Sequence, residues 1–246
     1  MKFWQGMALY LFFMFSGVVL TPLLHLPGGA VSAVAVCLAT LLLAAVFLAG
    51  NVPARRALLR VRQPLLGWSL VLALGLRMVS EVSVVLSWLF QTTRDISFLT
   101  GPLGFQLLYV VILAPITEET VIRGGLVTGL SRRLPWQAAV VISALIFAVG
   151  PSWFQAPQTI FVALVLGYLC WYTGSMVYGM VVHLFINSSA FVLPVALQHF
   201  PGGYTLGLSM GMVVAGLALT LWSMRRMWRC ADAIDRFEAR FGLTGS

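Results

Sequence analysis

Eight apolar stretches, each near the ~20 residues that a bilayer's hydrocarbon core demands of a helix, follow one another along this chain with little room between them. They fall at residues 5–26, 29–50, 65–90, 103–129, 136–150, 157–172, 175–198 and 203–224, divided at proline, glycine and arginine positions. In lipid every backbone N–H and C=O must find a partner, and a helix supplies it from within the segment. The expected fold is therefore all-α: a polytopic membrane protein of about eight transmembrane helices. Composition agrees, because 60% of the 246 residues are hydrophobic and 9% are charged, against about 25% charged in a soluble domain.

The net charge of +8 does not point to nucleic acid. Fourteen of the fifteen basic residues are arginine, and most sit in short clusters between apolar runs, the pattern that orients membrane proteins. Arg55, Arg56, Arg60 and Arg62 separate spans two and three; Arg132 and Arg133 separate four and five; Arg225, Arg226 and Arg229 follow span eight. With Lys2, Arg236 and Arg240, twelve of the fifteen fall on one side, against Arg94 alone on the other. The positive-inside rule then makes both termini cytoplasmic, and the expected location is a bacterial inner membrane. The first run is too long for a typical secretory signal, and its removal would leave an odd number of spans.

Cys37, Cys170 and Cys230 lie in or beside apolar runs and form no CxxC pair, which speaks against a disulfide framework or a structural zinc knot. The organisation expected is one transmembrane domain over 1–224 and a cytoplasmic tail over 225–246. Within the tail, Asp232 and Arg236 stand four apart, and Ile234, Phe237 and Phe241 share a helix face; this suits either a helix on the inner leaflet or a solvated tail. In span eight Gly207, Gly211 and Ala215 recur every four residues, a spacing that lets a second helix approach closely.

An ionisable side chain inside a bilayer costs about 2.5–3.5 kcal/mol on insertion scales, so each needs a partner or a purpose. Span four holds Glu118, Glu119 and Arg123. Glu119 and Arg123, four apart, share a helix face and can neutralise one another, whereas Glu118 is turned about 100° away. Pro115, just before the acids, removes a backbone hydrogen bond and favours a kinked wall beside a wet cavity. In span seven His183 and Asn187 again share one face of an otherwise apolar helix. Counted from the cytoplasmic ends of their spans, Glu118 and His183 lie at roughly 16 and 12 Å, so carboxylate, imidazole and amide converge in the inner half of the membrane. Such a set can hydrolyse: the carboxylate takes a proton from water, and His and Asn donate hydrogen bonds to a developing oxyanion. Arg77 and Glu81 in span three repeat the four-residue spacing and read first as an intrahelical ion pair, with a second functional pair as the alternative.

Glu118-Glu119-x-x-x-Arg123 resembles the EExxxR signature of the CPBP family, the CAAX-processing and bacteriocin-processing intramembrane proteases also called Abi proteins. Gly124-Gly125-Leu126 is similar as well, His183-Leu-Phe-Ile-Asn187 looks like the family's HxxxN motif, and Phe147 looks like the phenylalanine that opens its FxxxH motif. The likeness covers about residues 100–195. The resemblance implies that Glu118 activates water, that Glu119 and Arg123 orient or balance it, and that His183 and Asn187 bind and polarise the scissile carbonyl of a substrate with a membrane-embedded end.

One position departs from the pattern. Four residues after Phe147, where the family has a histidine, stands Pro151. His25 and His199 lie near the outer ends of their spans and do not replace it; Ser143 or Ser152 can hold a water but cannot act as an imidazole. Zinc normally takes three or four protein ligands, and Glu118, Glu119 and His183 are the set available, so the reading is a metal-free glutamate mechanism with a divalent metal such as zinc as the alternative. The expected function is an intramembrane endopeptidase acting on a lipidated, leader or sorting-tail substrate. Two other readings stand beside it: a proteolytically inactive relative serving as immunity factor, scaffold or chaperone, and a small transporter using the acids and His183 as a proton relay.

Overall fold

The computed structural model describes residues 2–23, 29–91, 101–148, 155–197 and 202–240, and among them regular structure is helical throughout, with no strand. In chain order the helices are α1 (Phe3–Leu23), α2 (Ala30–Ala49), α3 (Val52–Leu58), α4 (Gln63–Val79), α5 (Val82–Leu89), α6 (Leu103–Leu107), α7 (Ala114–Glu119), α8 (Thr128–Leu130), α9 (Trp136–Phe147), α10 (Ala156–Thr173), α11 (Val177–Leu197) and α12 (Gly202–Arg240). Stretches Leu108–Leu113 and Thr120–Val127 are wound as π-helix and join α6, α7 and α8 into one rod. Five stretches are long and apolar enough to cross a membrane: Ala30–Ala49, Gln63–Leu89, Leu103–Leu130, Ala156–Thr173 and Leu206–Asp232; Trp136–Phe147 and Val177–Ser189 are shorter apolar helices. With Leu42, Val214 and Leu103 among the large apolar side chains turned outward, this is a polytopic integral membrane protein.

Local chemistry sets the boundaries. Asn51 caps α3 by accepting from the Ala54 N–H at 3.2 Å, with Pro53 in the first turn. Gly174, at φ 69°, closes α10 in the left-handed conformation that a residue without Cβ adopts at no cost. The turn it makes is pinned to α3: Met176 N–H and Ser175 Oγ both donate to Leu58 O, at 3.0 and 3.2 Å, and Arg62 N–H donates to Tyr178 Oη at 2.7 Å.

Two apolar clusters fill the bundle. One joins Leu9 of α1 to Val121, Ile122, Leu126, Cys170 and Met176; the other joins Leu65, Leu72 and Leu76 of α4 to Leu166, Tyr178, Val182 and Met227. Helices α4 and α12 approach closely at Gly75 and Gly216, where a Cβ on Gly216 would sit 2.7 Å from Gly75 O. The repeat that the sequence suggested for this role points elsewhere: a Cβ on Gly207 or Gly211 would meet nothing within 4 Å, and Ala215 is exposed. Periodicity marked a face of small residues but not which face meets the neighbour. Helix α12 takes in both the expected last span and much of the expected tail. It runs on to Arg240, about 58 Å at 1.5 Å per residue, and Asp232 accepts from Tyr172 Oη at 2.5 Å. All three cysteines are free.

Candidate active site

The rod Leu103–Leu130 carries the acids. In its first π stretch the Ala114 N–H reaches back five residues to Tyr109 O, so the next nitrogen in that register, Pro115, is the one due to serve Val110 O and has no proton to give. Asn187 Nδ2 fills the gap, donating to Val110 O at 2.8 Å. One donor of the Asn187 amide is thus committed to the backbone of the rod, and the interaction locks α11 beside α7.

One helical turn before Asn187, His183 lies between the two glutamates. Its Nδ1 is 3.0 Å from Glu119 Oε1, and its Nε2 is 3.7 Å from Glu118 Oε2. Arg123 Nη1 stands 3.1 Å from the same Glu119 oxygen, within ion-pair distance but without the alignment of a hydrogen bond. The Arg123 guanidinium is fully enclosed; Nη2 donates to Ala163 O at 3.3 Å, and the group lies 5.1 Å from the Phe147 ring centre. Phe147 also meets the His183 ring edge-on at 6.2 Å. Glu119 needs space as well as charge. Gly179, four residues before His183, makes room for it, since a Cβ there would come within 2.5 Å of Glu119 Oε2.

A carboxylate held beside Arg123 accepts, so Nδ1 is the nitrogen that donates to Glu119, and Nε2 is left facing Glu118 Oε2. Glu118 is partly exposed where Glu119 is not, and both Glu118 and His183 open onto a cavity of about 510 Å³ that is also lined by Ser80, Gln158, Thr159 and Asn187.

All five residues singled out from the sequence, Glu118, Glu119, Arg123, His183 and Asn187, meet in one place, in two layers. Glu118, His183 and Asn187 line the cavity, while Glu119 and Arg123 stand behind them. Arg77 and Glu81 make the intrahelical pair, Nη1 to Oε1 at 2.7 Å. Pro151, Ser152, His25, Arg94 and His199 lie outside the described residues. The sequence reading missed Ser80, Gln158 and Thr159, although Gln155, Gln158 and Thr159 put three polar groups on one face of an apolar helix and were visible as such.

A protein-family model described as type II CAAX prenyl endopeptidase Rce1-like matches residues 100–189. The matched stretch resembles that family; it takes in the rod and the part of α11 bearing His183 and Asn187, so all five residues fall within it. No curated protein and no solved structure matches the chain. As a metal set Glu118, Glu119 and His183 fit poorly. Glu118 and Glu119 address opposite nitrogens of one imidazole and do not face a common point, and among the described residues no three His, Cys, Asp or Glu are arranged to hold an ion.

Proposed function

We propose that the protein is a glutamate-dependent intramembrane endopeptidase that hydrolyses a peptide bond in a membrane-associated substrate, in a bacterial inner membrane. The observation that carries this reading is the placement of His183 between Glu118 and Glu119 at a cavity wall. A water seated about 2.8 Å from both Glu118 Oε2 and His183 Nε2 can give one proton to each, which leaves its lone pair directed into the cavity. Glu118 then takes a proton as the water attacks the carbonyl carbon and returns it to the departing amine. His183, held by Glu119, keeps the water in place, and the second Nδ2 proton of Asn187 is a donor for the oxyanion. Arg123 stabilises Glu119 as an ion, so that the carboxylate continues to accept from Nδ1.

A second reading, a proteolytically inactive family member acting as scaffold, immunity factor or chaperone, is favoured by Pro151 at the family's histidine position. Termini of membrane proteins compared by mass spectrometry, in cells with wild type or Glu118→Gln at matched abundance, separate the two. New termini with wild type alone support the protease. Identical termini, under conditions where wild type has a phenotype that Glu118→Gln retains, favour the scaffold.

A further inference from the structure

The cavity and the packing around it lie on opposite sides of the catalytic layer. Distances along each helix from its arginine-bearing end, at 1.5 Å per residue, place His183 at about 9 Å, Asn187 at 15 Å, Glu118 and Phe147 near 17 Å, Gln158 at 23 Å and Ser80 near 26 Å. In a hydrocarbon core about 30 Å thick, the lining therefore begins about 9 Å in, at His183, and continues past the middle to within a few ångströms of the face away from the arginines. It also becomes more polar in that direction, with Ser80, Gln155, Gln158 and Thr159 at the far end. Gln158 presents a buried amide oxygen that has no hydrogen-bond partner, the kind of orphan acceptor that a peptide N–H satisfies.

On the arginine side there is a plug. Arg123, Ile122, Leu126, Cys170, Met176, Tyr178 and Val182 are all buried, and a Cβ on Gly124 would come within 2.8 Å of Met176 Sδ. Beneath them α3 is fastened to the α10–α11 turn through Leu58 O.

We propose that the site is loaded from the extracytoplasmic face, through the Ser80–Gln158 end of the cavity, and that its substrate class is the membrane-embedded end of an exported polypeptide rather than a lipidated tail on the cytoplasmic leaflet. This rests on the cavity being the substrate site of the proposed protease, and on the arginine clusters marking the cytoplasmic side.

Access is tested without any need for proteolysis. In a background with Cys37, Cys170 and Cys230 changed to alanine, Gln158→Cys and Arg56→Cys are each labelled with a membrane-impermeant maleimide, in spheroplasts and in inside-out vesicles, after both variants are shown to be monodisperse in detergent. Gln158→Cys should react at least tenfold faster in spheroplasts, and Arg56→Cys at least tenfold faster in inside-out vesicles. Faster reaction of Gln158→Cys in inside-out vesicles, reaction at neither face, or labelling of Arg56→Cys from the spheroplast side overturns the proposal. The substrate class has its own readout: new termini produced by wild type should fall in extracytoplasmic segments, and termini confined to cytoplasmic tails overturn it. A wholly inactive protein would leave the labelling result standing, so failure of the protease reading and failure of the access route are told apart.

Discussion

Arg77–Glu81 and Glu119–Arg123 are the same device in reversed order: two opposite charges four residues apart along the chain, each pair within about 3 Å, with only Arg77 of the four partly exposed. What differs is the third group to reach the carboxylate. Glu81 is met by the Ser209 hydroxyl from α12 at 3.2 Å, a neutral donor, and the result is a clamp between α4, α5 and α12. Glu119 is met by an imidazole whose other nitrogen faces a second carboxylate at a cavity. An intramembrane ion pair satisfies its own charges in either case; chemistry begins where the pair also fixes the proton of a group that has a free edge.

The largest effect should separate the pairs by activity. Glu118→Gln, which keeps shape but cannot take a proton, is expected to lower cleavage by about 10²–10⁴-fold at normal abundance, while Glu81→Gln leaves cleavage of the same substrate near wild type. The next comparison replaces both ions at once, since a buried pair exchanged for apolar residues of similar volume is often neutral in stability. Arg77→Met with Glu81→Met should retain both fold and activity. Glu119→Met with Arg123→Met should remain folded yet lose cleavage, because His183 Nδ1 then has no acceptor, and thermal unfolding in detergent beside a cleavage assay reads both.

Smaller changes sharpen the contrast. Gly179→Ala pushes a methyl toward Glu119 Oε2 and should cost about 1–3 kcal/mol, seen as a lower Tm together with a reduced kcat. Ser209→Ala removes one hydrogen bond to Glu81 and should cost about 1.5–3 kcal/mol at most, seen in the Tm alone.

Much of this was legible in the sequence because the membrane makes polar residues conspicuous. Glu118, Glu119, Arg123, His183 and Asn187 stand out of apolar helices, and four-residue spacing alone paired Arg77 with Glu81 and Glu119 with Arg123. Spacing did not reveal which of several donors a carbonyl would choose. Asn187 serves Val110 O only because the rod is π-wound ahead of Pro115, and no propensity in Leu108–Leu113 announces that winding. Nor did it identify the packed face of α12, since Gly216 is one glycine among several and its role depends on Gly75 lying opposite. The cavity wall combines Ser80 with Gln158, residues from helices that only the tertiary fold brings together.

The winding of the rod has one more consequence. A π turn is an α turn carrying a surplus residue, accommodated locally so that the helix on either side keeps its place. The acid-bearing turn Ala114–Glu119 has such a surplus both before it and after it. The rod therefore holds slack at both ends of its reactive rung, and a deletion of one residue in Leu108–Leu113 or after Arg123 can be absorbed by rewinding to α while Glu118 stays at the same depth and bearing. Length is negotiable there, whereas the six residues from Glu118 to Arg123 are the gauge to which the rest of the helix is cut.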